Sequence, residues 1–330
     1  MAQTFGFLLI PGFSMMGLMA AIEPLRVANR FQQGLYRWHL LSQDGQAVEA
    51  SNGMSLNVDA PLQLPAQTEL LFVVAGFEPL AHFNSRLSHW LHRCEREVSA
   101  LGAIDTGSYL LAEAGLYSTQ RLTLHWEAQE AFRERYPRLQ VTQELFEIDQ
   151  RRITSAGGTS SLDLMLDLIS QRHGHSLAAQ VSEQFVLSRI RTRQDHQRLQ
   201  IANRYGLSNK KLVKVIGDME QHCEQLLSCE ALAARIGVTA RQLERLFRHH
   251  LDTTPTLFYL NLRLDKARQL LRQSDLSVLD VSLACGFDSP SYFSARYRRR
   301  FGASPRNDRH EPAQAAPAAA GPAYPPATCT

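Results

Sequence analysis

Two stretches of the C-terminal half, Cys229–Leu251 and Val278–Arg300, repeat one helical pattern about 50 residues apart. In the first, Leu232, Ala233 and Ile236 place an apolar face on a short helix, Gly237 breaks it, and Val238 fills the turn. Thr239 then caps a second helix whose inward face is Leu243, Leu246 and Phe247, leaving Arg241, Gln242, Arg245, Arg248 and His249 on its other faces. In the second stretch Val281 and Ala284 lie inward, Gly286 breaks the helix and Phe287 fills the turn. Ser289 or Asp288 caps the helix that follows, and Pro290 fits its first turn. That helix carries Ser291, Tyr292, Arg296, Arg298, Arg299 and Arg300, with Tyr292, Phe293 and Tyr297 available for packing or phosphate contacts. One amphipathic helix, Pro255–Arg272, with Leu257, Leu260, Leu264, Ala267, Leu270 and Leu271 on its apolar face, joins the units and sets their separation. A short helix, a turn and a second helix is the arrangement that places the second helix in a DNA major groove.

The charge distribution agrees. The 330 residues sum to +3, yet residues 1–185 carry 13 Lys/Arg against 19 Asp/Glu, and residues 186–330 carry 22 against 13. A basic back half joined to an acidic front points to a polyanionic partner for the back alone. At 44% hydrophobic and 20% charged residues, the chain is neither wholly disordered nor a disulfide-stapled scaffold. No apolar run reaches the ~18 residues of a membrane span. The apolar N-terminus, with no basic segment before it and no small-residue cleavage site, reads as a buried strand. Five scattered cysteines (Cys94, Cys223, Cys229, Cys285, Cys329), none in a CxxC pair, fit a reducing cytoplasm and give no zinc or other metal signature. No cofactor is expected.

The front half alternates strands and helices, as in a parallel sheet covered on both faces. Strands are expected at Phe5–Ile10, Arg37–Ser42, Glu69–Ala75, Leu101–Ile104, Leu145–Ile148 and Arg152–Ser155, with a β excursion over Ser51–Asp59. Helices are expected at Gly17–Phe31, Pro79–Val98, Gly107–Gly115, His125–Tyr136, Ser160–Gln171 and Ser176–Leu187. The polar stretch 188–209 reads as a linker, five or more helices follow, and the Pro/Ala-rich residues 310–330 read as a disordered tail.

Leu101–Gly107, LGAIDTG, runs a strand into a sharp turn before a helix. Such an elbow projects one side chain above the strand ends, over the amides of the helix start; here that residue is Asp105, followed by Thr106 and Gly107. Glu23 on the first helix and His125 are placed to converge with it where strands of a parallel sheet end.

Residues 210–309 resemble the AraC-type DNA-binding domain through LAARIGVTARQLERLFRHHL, RLDKARQLL and DVSLACGFDSPSYFSARYRRRFGASPRNDR. The resemblance implies seven helices and recognition helices near Thr239–His250 and Ser289–Arg300. Residues 4–187 resemble the DJ-1/PfpI-like, class I glutamine amidotransferase-like domain, implying a flavodoxin-like α/β sheet. The segments are PGFSMMGLMAAIEPLRVANR, VVAG, LGAIDTGSYLLAEAGL, LTLHWE and ITSAGGTSSLDLML. Joined, the two resemble the GlxA family of transcriptional regulators, with a sensing domain over 1–187.

Enzymes of that superfamily carry cysteine at the elbow with a histidine and a glutamate nearby. This chain has Asp105, so the crevice is read as a non-catalytic ligand pocket in which Glu23 and Asp105 hold an ammonium and Trp126 offers a ring face. The resemblance implies a basic amino acid or betaine-like effector, double-stranded promoter DNA, RNA polymerase for an activator, and a homodimer. The alternative is a hydrolase or amidase with a DNA-binding appendage. The residues also have plainer readings: Glu23 pairing with Arg26, Asp105 capping the elbow helix, His125 beginning a helix, Trp126 in a core. Gly157–Gly158–Thr159 reads equally as an anion cradle or a tight turn.

Overall fold

The computed structural model describes residues 2–310 apart from Leu199 and Asp275, and the side chain of His310 is not described. The expected tail beyond His310, with Cys329, lies outside the described residues. The chain divides after Arg198 into two compact units.

The first unit runs β1 (Gln3–Leu9), α1 (Met15–Phe31), β2 (Tyr36–Leu41), β3 (Val48–Glu49), β4 (Ser55–Leu56), β5 (Thr68–Val74), α2 (Ser85–Glu97), β6 (Ala100–Ile104) and α3 (Ser108–Glu113). It continues through β7 (Arg121–Leu122), α4 (Gln129–Arg135), β8 (Gln140–Val141), β9 (Phe146–Asp149), β10 (Arg152–Ser155), α5 (Ser160–His173) and α6 (His175–Gln184). The main sheet has the order β2-β1-β5-β6-β10-β9. β1 and β5 read as continuous apolar runs because both faces are covered. Phe5, Phe7 and Phe72 stack on the face that packs against α1, α5 and α6. Leu8, Leu71 and Val73 face the opposite core, shared with α2, α3 and α4.

The sheet is parallel except at its edge. β9 pairs antiparallel with β10, because the two-residue turn Gln150–Arg151 joins them and Gln150 takes a left-handed φ of 55°. So short a connection permits only antiparallel pairing. The helix expected over His125–Tyr136 begins only at Gln129, leaving His125 and Trp126 on the preceding loop. Past α6, residues 189–198 of the expected linker lie against the first unit: the Leu145 amide donates to the Arg193 carbonyl at 3.1 Å, and Arg191 pairs with buried Asp163 at 2.5 Å.

The second unit is helical: α7 (Ile201–Arg204), α8 (Lys210–Gln221), α9 (Cys229–Arg235), α10 (Ala240–Leu251), α11 (Pro255–Gln273), α12 (Val278–Ala284), α13 (Pro290–Phe301) and α14 (Pro305–His310). Seven of these lie between Lys210 and His310. The repeat read from sequence is also a repeat of support. Lys214 on α8 donates to the Arg235 carbonyl at the end of α9 at 3.1 Å. Arg263 on α11 donates to the Cys285 and Gly286 carbonyls after α12, at 2.7 and 2.5 Å. Each cation satisfies carbonyls left open at a helix end. Arg263 is buried with its guanidinium 3.9 Å from the Phe287 ring centroid, and it shares the inward face of α11 with Tyr259, Leu264 and Ala267. Leu257, expected on that face, is 48% exposed.

Candidate ligand site and nucleic-acid interface

The ends of β1, β5, β6 and β10 bring four loops together around Asp105. The elbow is present: Asp105 has φ 63° and opens a 3-10 turn, Asp105–Gly107, that leads into α3. A non-glycine residue at positive φ is uncommon, and Asp tolerates it better than most. Surrounding chain enforces the conformation. A Cβ on Gly107 would meet the Val73 carbonyl oxygen at 2.1 Å, and one on Gly157 would meet Asp105 Oδ2 at 2.5 Å. Gly157, at φ 83°, is therefore the wall against which the carboxylate lies. Buried Thr106 turns its hydroxyl onto the Gly76 carbonyl and serves the scaffold.

Burial pushes the Asp105 carboxyl up to about 6. The charge of His125, a hydrogen bond from Ser14 and the Thr106 amide pull it down, while the Glu127 carboxylate adds to the rise. Ser14 also caps α1, accepting from the Gly17 amide at 3.2 Å. Folded Asp105 thus keeps its proton to higher pH than an unfolded aspartate. The stability linked to that proton is present below about pH 4 and lost as pH rises through about 6. Asp105→Asn, which also suits positive φ, is expected to gain about 1–3 kcal/mol over the native chain above pH 7 and almost nothing near pH 4. Melting temperature against pH checks this.

One expected ligand residue is placed otherwise, and another is already occupied. Glu23 does not join Asp105: it pairs with Arg26 at 2.7 Å. It lies nine residues past Ser14, about 13 Å along a helix whose start holds the Asp105 side. The second carboxylate near Asp105 is Glu127, which sequence reading passed over although it stands two residues from His125; its Oε2 is 3.9 Å from His125 Nδ1. Trp126 stands beside His125, ring centroids 5.7 Å apart, but the Arg198 guanidinium already covers its ring at 4.3 Å. Ser14 and Gly157 were also missed as site residues. Ser14 was visible as a capping residue before an apolar helix; the approach of Gly157 had no sequence signal. The crevice holds no thiol. Cys94 is packed in the core on α2, its thiol pushed up to about 12 by burial.

In the second unit, residues 241–250 and 291–300 have the same sequence of buried and exposed positions. Leu243 and Phe247 correspond to Phe293 and Tyr297 as the buried pair. Thr239 and Gln242 form a reciprocal capping box, and Ser289 accepts from the Tyr292 amide at 3.3 Å. These polar groups are occupied in holding the helix starts. Arg241 and Arg245 on α10, and Ser291, Tyr292, Arg298 and Arg299 on α13, are exposed. Arg248 is exposed and paired with Glu244 at 2.9 Å. Arg296 departs from expectation. It corresponds to inward-leaning Leu246, is half-buried, and lies 5.0 Å from the Tyr292 ring centroid, while Ala295 takes the outward place of Arg245. Arg300 is held by Asp265 at 2.7 Å. Among the described residues there is no group of His, Cys, Asp and Glu able to hold a metal ion, and no helix long and apolar enough to cross a membrane.

Residues 7–171 match the DJ-1/PfpI family and residues 232–311 a helix-turn-helix domain. The chain is 66% identical to the HTH-type transcriptional regulator CdhR of Pseudomonas aeruginosa, over 98% of this chain and 97% of that one. It is 36% identical to the HTH-type transcriptional regulator GlxA of Rhizobium meliloti, over 92% and 94%. Among solved structures, an AraC family transcriptional regulator from Pseudomonas putida matches with a TM-score of 0.51 at 28% identity, covering 56% of this chain and 99% of that one. The chain therefore belongs to the GlxA-like, AraC-class transcriptional regulators that join a DJ-1/PfpI domain to a helix-turn-helix DNA-binding domain.

Proposed function

We propose that the front unit senses a small amine-bearing metabolite, a basic amino acid or betaine-like compound, in a non-catalytic pocket around Asp105. The protein then acts as a homodimeric activator that engages RNA polymerase at its promoter. The observation that carries the sensing reading is the elbow itself. It keeps its strained backbone, yet presents a half-buried carboxylate beside a second carboxylate, Glu127, where hydrolytic chemistry would want a thiolate. A desolvated carboxylate binds an ammonium far better than water-exposed charge does. Two reading helices on one chain would span about two turns of DNA per half-site.

The test is a titration of the full-length protein with amines, amino acids, neutral sugars and simple acids, followed by thermal shift. Amines are expected to stabilise the protein and Asp105→Asn to lose the response while keeping DNA affinity. Because the carboxyl titrates near 6, amine affinity should rise roughly tenfold from pH 5 to pH 7 as it ionises. A response to sugars or acids alone, or one indifferent to Asp105→Asn, refutes the reading. Amide hydrolysis abolished by both Asp105→Asn and Asp105→Ala would favour an enzyme instead.

A further inference from the structure

The segment 189–198 is a strap laid over the first unit, and chain continuity makes its end the start of the DNA-binding unit. Its anchoring is uneven. Near its beginning Arg191 Nη2 donates to Asp163 at 2.5 Å and to Thr159 Oγ1 at 2.7 Å, with Asp163 buried. Beneath the middle, between the strap and α5, lies a cleft of about 450 Å³ lined by Leu166, Asp167, Ser170, Ile190 and Arg193. Arg193 reaches buried Glu147 only at 3.5 Å.

At the far end a backbone bridge joins His196 to Glu144, Asp195 is tied back to Arg189 within the strap, and two side chains reach the first unit. Gln197 Nε2 faces Thr123 Oγ1, the Leu124 carbonyl and the Glu144 carbonyl at 2.9, 3.2 and 2.8 Å. One amide nitrogen has two hydrogens for those three acceptors. Gln197 Oε1 is buried without a partner, as is Oε2 of Glu144, whose carbonyl accepts from Gln197. Buried acceptors lacking donors raise the cost of the seated state. The second anchor is Arg198 on the ring of Trp126. Thr123, Leu124, His125 and Trp126 form one continuous loop, so the far end of the strap is seated on the loop whose His125 acts on Asp105.

We propose that Arg198 is a built-in occupant of the cation site, and that the cationic group of the effector takes the Trp126 ring from it and frees residues 194–198 at the entry to the DNA-binding unit. This rests on the sensing reading above. The chemistry is competition between two cations for one aromatic face. Trp is the strongest such face, and a cation that sheds water easily, such as a quaternary ammonium, holds it at least as well as a guanidinium does. A site whose competent state is only partly populated binds with reduced apparent affinity, and removing the internal competitor restores it. Displacement would couple the two sites because one ligand favours the released strap.

The experiment uses the full chain, with tetramethylammonium chloride as probe and sodium chloride at equal ionic strength as control. Hydrogen exchange of residues 189–198 is followed in the native protein, Arg198→Gln and Trp126→Leu. In the native chain, exchange at 194–198 should accelerate with tetramethylammonium and not with sodium, while 189–192 stays protected. Arg198→Gln should exchange fast at 194–198 without any probe and bind tetramethylammonium about tenfold more tightly. Trp126→Leu should exchange fast and bind the probe at least tenfold more weakly. Unchanged exchange and affinity in Arg198→Gln would overturn the proposal. If amines still bound in an Asp105-dependent way, only the strap proposal would fall; if no amine bound the native protein, the sensing reading would fall as well.

Discussion

Asp308→Ala is expected to cost the DNA-binding unit about 3–5 kcal/mol, the range for removing one partner of a buried charge cluster. Asp308 is fully buried on α14. It accepts from the Tyr297 hydroxyl at 2.5 Å, Arg268 Nε at 2.9 Å and Arg272 Nη2 at 2.5 Å, tying α14 to both α11 and α13. Burial alone would raise its carboxyl. The Tyr297 and Arg272 hydrogen bonds and the charges of Arg268 and Arg272 outweigh that and hold it below the usual carboxylate range. A depressed carboxyl stabilises the fold above the unfolded pKa near 4 and loses that contribution as pH falls through the folded value. Alanine leaves two guanidinium groups and a phenol facing a cavity, and it loosens the helix that carries Arg298 and Arg299. Asp308→Asn keeps the shape and the Tyr297 partner, so it should cost less. Thermal melts of the full chain, with hydrogen exchange over 290–310 assigning the transition to this unit, check the order native, Asn, Ala. A melting point for Asp308→Ala within 2 °C of native would contradict it. The FGASPRNDR signature that marks this region thus owes its Asp to the architecture rather than to DNA.

That residue shows where sequence reading reaches its limit. The helical repeat, the glycine breaks, the caps at Thr239 and Ser289 and the elbow at Asp105 were legible because each is local. Periodicity or a turn requirement fixes them within a few residues. Arg263 and Asp308 were not legible, since a charged residue reads as exposed until its partners are known. The carbonyls concerned stand 22–23 residues from Arg263 and the cations 36–40 from Asp308, with Tyr297 a further contact 11 residues from Asp308. Glu23 was drawn into the site because it shares a helix with the true contact, Ser14, but helical rise carries it away. The polar stretch 188–209 reads as linker because hydrophobic periodicity is the signal for packed chain, and its first half is packed without it. This segment is seated by hydrogen bonds and ion pairs instead. Arg296 groups in sequence with the arginines that follow it, and only the alignment of α13 with α10, position by position, shows that it takes the place of a leucine.

That alignment points to an unequal division between α10 and α13, the two proposed reading helices. Arg241 and Arg245 lie one helical turn apart on the exposed face near the start of α10, and neither has an ion-pair partner among the described residues. The corresponding positions of α13 hold Ser291 and Ala295, and its charge sits at the far end in Arg298 and Arg299. The first turns of a recognition helix face base edges, and arginine there reads guanine in two-point fashion. Charge at the far end of a helix meets phosphate, which positions without specifying. Arg241→Ala combined with Arg245→Ala should therefore weaken specific DNA binding by about thirtyfold or more, at about 1–3 kcal/mol per lost base contact, and narrow the gap between specific and random DNA. Arg298→Ala with Arg299→Ala should weaken both kinds of DNA alike and flatten the salt dependence by about 2 in log–log slope. Arg296→Ala should act mainly on stability through its lost packing against Tyr292, with a smaller effect on affinity than either pair. Fluorescence anisotropy against promoter and scrambled duplexes across a salt series separates the three outcomes. Equal losses for promoter and scrambled DNA from the α10 pair would show that α10 does not read bases.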